Sequence, residues 1–212
     1  MEKHPANLEE IGPLYAKLME EIKRRVAIVY QIGNGSHSLP QMAAFELCYV
    51  QLRKICEVFA LACLVAHGEL PDLRKKLVQK TYQADHIIKM LSTLHPRFYP
   101  VPGEQRLDLD TPKPVEVINL ESGFLTKDDL VSLYGECGKY LHRGSIRQLL
   151  TNWEPAPDFE KIRSWVDKII KLLSHHQIET IQSDTQLWVI MQGKDDGRVH
   201  WFVMKKIGPV KK

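Results

Sequence analysis

The stretch "QMAAFELCYVQLRKICEVFALACLVAH", residues 41–67, constrains this chain more than any other. Its apolar residues recur at helical spacing, and over residues 58–66 they occupy almost every face of the helix they form. A helix that is apolar all round must be enclosed by other elements, so this one predicts a helical assembly built around it. Ser38 is its expected N-cap, after the breaking stretch "GNGSHSLP", and Gly68 its expected stop. Glu46, Arg53 and Glu57 interrupt the pattern at i, i+7 and i+11, which puts them with Tyr49 on one side. That strip is either a solvated edge with a structural ion pair or the polar wall of a cleft.

Four further helices are expected around it. Leu14, Leu18, Ile22, Val26 and Val29 mark the first, with Pro13 in its first turn and Glu20 and Glu21 four residues before Arg24 and Arg25. Pro71 and Asp72 open another, whose buried stripe is Leu73, Leu77, Ala84, Ile87 or Ile88, Leu91 and Leu94 and whose basic face is Arg74, Lys75, Lys76 and Lys80. It ends at the proline-rich "HPRFYPVP". Thr126 and Asp129 have the spacing of a capping box at the start of a fourth helix. After the linker "WEPAP", Asp158 caps a last helix built on Phe159, Ile162, Val166, Ile169 and Leu173. The expected fold is mainly α: an up-and-down bundle of about five helices over residues 1–175, with a small β extension over residues 176–212.

Two regions lie outside the helical pattern. Residues 95–125 show no sustained period and read as an irregular insertion or lid, with "VEVINL" as a short strand. "TQLWVIMQGKDDGRVHWFVMKKI" reads as an antiparallel hairpin around an Asp-Asp-Gly turn, and "IETIQ" is the candidate third strand. A hairpin is marginal alone, so this one leans on the bundle or on a second copy. Trp188 and Trp201 are its candidate interface residues, with packing against Trp165 under the last helix as the alternative.

Bulk properties narrow the function classes. A net charge of +3 is too small to mark a polyanion-binding protein by itself. The start "MEKHPANLEE" lacks the pattern of a secretory signal, and no apolar run is long enough to span a bilayer, so a cytoplasmic protein without a membrane partner is expected. Cys48, Cys56, Cys63 and Cys137 lack C-x-x-C spacing and read as free buried thiols. The chain has no phosphate loop, nucleophile elbow or H-E-x-x-H helix, and no metal or cofactor is expected. His175 and His176, adjacent on a helix, point about a hundred degrees apart and make a poor chelating pair. Lys205, Lys206, Lys211 and Lys212 form a basic tail, read first as solvated and otherwise as touching phosphate or membrane.

The fourth helix carries "LYGECGKYLHRGS", residues 133–145. Val131, Gly135, Gly138 and His142 fall on one of its faces, beside an apolar surface of Leu130, Leu133, Tyr134, Cys137, Tyr140 and Leu141. Each helical glycine costs roughly 1 kcal/mol against alanine, so the pair implies a close backbone approach or room for a ligand. The expected groove consists of Glu46, Tyr49, Glu57, Gly135, Gly138 and Tyr140, with His142 at its lower end. His142 is an acid–base group or a capping residue at a helix end that favours cations. Arg143 points roughly the other way, and Gly144 ends the helix.

A helical bundle whose late helix ends "YLHRG" resembles the HEPN superfamily, small helical bundles of bacterial toxin–antitoxin, anti-phage and stress systems. The resemblance rests on helix order and the stretch from Tyr134 to Gly144, and it covers roughly residues 13–175. It implies a homodimer in which two motifs share a cleft and, in members that cleave RNA without metal, an arginine four to six residues from a following histidine. His142 matches that histidine; Gly135, Glu136 and Cys137 stand where the arginine would be. The leading expectation is therefore a non-catalytic or regulatory module binding RNA, a nucleotide or a protein partner. The second is an atypical metal-independent endoribonuclease using His142, with Arg53 or Arg143 supplying positive charge. The third is a protein-interaction module that uses the C-terminal sheet.

Overall fold

The computed structural model describes residues 8–67, 83–107, 114–142, 150, 156–179 and 185–205. In chain order these form α1 (Leu8–Gly33), α2 (Gln41–Ala66), α3 (Ala84–Leu94), β1 (Val101–Leu107), β2 (Pro114–Asn119), α4 (Lys127–Leu141), α5 (Phe159–Leu173), β3 (His175–Glu179), β4 (Thr185–Ile190) and β5 (His200–Lys205). The molecule is mainly α, with one antiparallel sheet in the order β2-β1-β3-β4-β5.

The apolar helix is central, as its composition requires. α2 buries residues on nearly all sides, including Phe45, Leu52, Ile55, Phe59 and Leu64, and α1, α3, α4 and α5 all pack against it. All four cysteines are buried and free. Burial pushes the Cys137 thiol up to about 12, so it stays protonated. α4 begins with the expected reciprocal capping box between Thr126 and Asp129, and the Asp158 carboxylate accepts from the Lys161 amide at 2.9 Å. Two helix starts differ from expectation. α2 begins after Pro40 with no side-chain cap, so Ser38 does not serve; α1 begins five residues before Pro13, which lies inside it. Leu94 is 37% exposed rather than buried, while Gly68 and the segment from Pro71 to Lys80 lie outside the described residues.

The sheet is the main departure from the sequence expectation. It has five strands, not two or three, because the supposedly irregular region 95–125 supplies β1 and β2. β1 pairs with β3 through Val101↔Gln177 and Pro102↔His176, so strands from both sides of residue 175 share one sheet. The third strand starts at His175, earlier than "IETIQ", and residues 180–182 of that stretch lie outside the described residues. His175 and His176 are thus on a strand and face opposite sides of the sheet. His176 is buried beneath α1 and α5. Its Nδ1–H donates to the Leu173 carbonyl at 2.8 Å, leaving Nε2 to accept from the Tyr15 hydroxyl at 2.9 Å.

Trp201 closes the other junction. A Cβ added to Gly12 would fall inside the Trp201 indole, so this ring is packed flush on α1 rather than under Trp165. The turn between β4 and β5, with Gly197 at φ +67, is held on α1 by Lys23 Nζ donating to the Gly197 carbonyl at 2.6 Å and the Val199 amide donating to Glu20 at 2.7 Å.

Candidate functional site at the α2–α4 seam

Arg53 of the α2 strip meets Tyr134 and Gly138 of α4 along one seam. Arg53 leans from α2 across α4, its guanidinium carbon 4.5 Å from the centroid of the Tyr134 ring and one terminal nitrogen donating to the Tyr134 hydroxyl at 3.0 Å. Its Nε lies 3.3 Å from Glu57, which also takes Lys54 at 2.8 Å. The other terminal nitrogen, Nη1, stands 3.6 Å from the place a Cβ on Gly138 would occupy, and Cδ2 of the His142 ring stands 3.7 Å from that same place. Gly138 thus leaves a small space, a slot that a guanidinium nitrogen and an imidazole carbon both border. His142 caps α4, its amide donating to the Gly138 carbonyl at 3.0 Å, and its side chain is exposed.

The two glycines therefore differ. No atom outside the local helix lies within 4 Å of the Cβ position at Gly135, which is exposed alongside Val131, so the close approach expected there is absent. Glu46 is also exposed, at the far end of the α2 strip. Arg143 lies outside the described residues.

A second cluster adjoins the slot. The Tyr49 hydroxyl donates to Glu136 at 2.6 Å, and Lys161 of α5 pairs with the other oxygen of Glu136 at 2.7 Å. Burial, reinforced by the Glu136 carboxylate, raises the Tyr49 phenol well above its ordinary range, while the bond to Glu136 raises the Lys161 ammonium. Tyr49 stacks on Tyr140 at 4.4 Å between centroids, and Phe45 meets Tyr49, Tyr140 and Phe159 edge-on. This cluster fixes the geometry between α2, α4 and α5. Tyr49 holds its proton and serves position rather than proton transfer.

Sequence reasoning grouped Arg53, Glu57, Gly138 and His142 as candidates, and they meet. It missed Tyr134 as the platform of Arg53 and Lys161 as the partner of Glu136. Tyr134 shares α4 with His142 and was within reach of a helical wheel; Lys161, on a separate helix, carried no signal. Among the described residues, no three His, Cys, Asp or Glu side chains are arranged to hold a metal ion, and no helix is long and apolar enough to cross a membrane.

No family model, curated protein or solved structure matches this chain. Fold and site together define a mainly α protein with a five-stranded antiparallel sheet and an arginine–histidine slot at a helical seam.

Proposed function

We propose that this chain is a HEPN-like, up-and-down helical binding module of a bacterial-type defence or stress system. It works in the cytoplasm as a homodimer and takes a phosphate-bearing ligand, RNA or a nucleotide, at the α2–α4 seam. The observation that carries this reading is that Arg53 Nη1 and the His142 ring both stand within 4 Å of the place a Cβ on Gly138 would occupy. A guanidinium offers fixed donors to phosphate oxygens, and an exposed imidazole can add one more. Glu57 limits the net charge of the slot, which suits a ligand that is bound and released over one that is held permanently. The test is binding of a fluorescein-labelled mixed-sequence RNA, and of ATP, across a salt series. Affinity should fall steeply with salt and drop roughly tenfold or more in Arg53→Ala. Salt-insensitive binding, or full affinity in that variant, removes the reading.

The same placement favours a second reading. In an atypical metal-independent endoribonuclease, Arg53 supplies the positive charge that Gly135, Glu136 and Cys137 do not, and His142 is the general acid or base. Labelled RNA incubated in chelator with the parent and with His142→Ala decides it. Cleavage by the parent alone supports the nuclease; intact RNA with both leaves the binding module.

A further inference from the structure

A cleft of about 490 Å³ lies between α1 and α5, a size in the range that takes small organic ligands. Lys23, Val26, Ala27 and Tyr30, at i, i+3, i+4 and i+7, give it one wall along a single face of α1. Ile169, Ile170 and Leu173 of α5 give the other. Its depth is apolar: Ile22, Ile169 and Leu173 are buried. Ala27, exposed on the α1 wall, is small enough to leave the mouth open. Both ends are tied by hydrogen bonds. At one the Tyr30 hydroxyl donates to Asp167 at 3.0 Å, and at the other the Met191 amide donates to the Ser174 carbonyl at 2.9 Å. From Lys23 to Tyr30 the helix rises ~10 Å, so the cleft is a short trough.

Polar chemistry is concentrated at one end of this trough. Among the described residues, the charged side chain that lines it is Lys23, and no carboxylate does. The Lys23 ammonium has three donors. One goes to the Gly197 carbonyl at 2.6 Å, and Glu20 takes a second at 3.2 Å while its other oxygen accepts the Val199 amide at 2.7 Å. The third remains for a ligand. These contacts hold the ammonium in place before any ligand arrives, which lowers the cost of ordering a long side chain on binding. The remaining hydroxyls are already used: Ser174 donates to the Ile170 carbonyl at 2.8 Å, and Tyr30 to Asp167. An apolar trough with a fixed ammonium at one end is complementary to an apolar chain with an anionic oxygen at its head.

We propose that the trough binds a medium-chain fatty acid, with its alkyl part against Ile22, Val26, Ile169 and Leu173 and its carboxylate on Lys23. A length of ~10 Å takes an extended chain of about eight to ten carbons, at bonds of ~1.5 Å. The site shares no residue with the α2–α4 seam and stands without it.

The test is isothermal titration of the full chain with hexanoate, octanoate, decanoate and dodecanoate, each below its micelle concentration. Affinity should rise about two- to fourfold per methylene, the gain expected of burying each one, and level off after decanoate. Ala27→Trp should fill the trough and abolish binding. Lys23→Met should weaken it about tenfold, Lys23→Arg should retain most of it, and decylammonium should bind at least tenfold more weakly than decanoate. Ala27 is exposed, so its variant should fold, and an unchanged far-ultraviolet circular dichroism spectrum checks that. Unchanged tryptophan emission in Lys23→Met checks that Trp201 still sits on α1. Arg53→Ala should bind decanoate as the parent does, which separates this site from the seam. No binding of decanoate by the parent, equal affinity in Ala27→Trp, or equal binding of decylammonium overturns the proposal. A parent that ignores decanoate but sediments as a dimer dissolved by Ala27→Trp overturns it too, and makes the trough an interface between copies.

Discussion

Gly135 and Gly138 lie on the same face of α4, yet only Gly138 has other side chains beside it. A Cβ at Gly138 would meet Arg53 Nη1 at 3.6 Å and His142 Cδ2 at 3.7 Å, ordinary van der Waals contacts that fill the slot without forcing either side chain away. Gly138→Ala should therefore stabilise the protein by roughly 0.5–1 kcal/mol, through helix propensity, while weakening ligand binding at the seam. Gly135→Ala, in open space, should bring the same gain in stability with binding unchanged. Denaturant midpoints set beside RNA or ATP titrations read both effects. If Gly138→Ala gains stability and keeps full affinity, the space bordered by arginine and imidazole is not where a ligand sits. The sequence exposed both glycines equally, because a helical wheel shows which residues share a face but not what the facing helix brings to it. Arg53 reaches Gly138 only because α2 and α4 pack side by side, and that is tertiary information.

At the scale of elements, local chemistry explains what could be read and what could not. α2, α4 and α5 were legible because each carries its signal within a few residues: continuous apolar faces in α2, the Thr126–Asp129 capping box in α4, Asp158 before α5. β1, "VPGEQRL", holds a proline, a glycine and three polar residues, and β3, "HHQIE", has a single β-branched residue; neither has strand character on its own. They are strands because β4 and each other offer edges to pair with, a long-range cause that no window of sequence contains. Two substitutions probe these two kinds of cause. Thr126→Ala removes one half of a local reciprocal cap and should cost about 1 kcal/mol. Gly12→Val drives a branched side chain into the Trp201 ring and should cost more, about 1–3 kcal/mol, with a change in tryptophan emission as the indole is displaced from α1. An emission spectrum and stability matching the parent for Gly12→Val would mean that α1 and β5 are not in contact.

The whole molecule is a helical layer joined to a sheet, and buried histidines stand at the joins. His176 lies between α1 and the sheet, bonded to Tyr15 and to the Leu173 carbonyl; burial lowers its imidazole to about 4, with the Leu173 bond opposing and neighbouring His175 assisting. His67 follows α2, its Nδ1 bonded to the Cys63 carbonyl at 3.0 Å and its ring 5.0 Å from that of His95. Burial likewise lowers it to about 4, assisted by His95 and opposed by carbonyls of Cys63 and Glu179. Those carbonyls belong to Cys63, whose thiol burial keeps protonated, and Glu179, whose carboxylate pairs with Arg97 at 3.2 Å. Both histidines are therefore neutral in the folded protein at pH 7, while in the unfolded chain they take up protons below about 6.5. The unfolded state binds more protons throughout the interval, so stability is fully present above pH 6.5 and is lost as pH falls towards 4. Two such groups give a slope of roughly 2.7 kcal/mol per pH unit in the middle of the window. Denaturant titrations from pH 7.5 down to about 4.5, above most carboxylate titration, should show that slope. In a His67→Gln/His176→Gln variant the protein should be less stable at pH 7.5, because glutamine packs less well, but the slope should flatten. An equally steep slope in the variant would place the acid sensitivity elsewhere and leave these two histidines as packing groups alone.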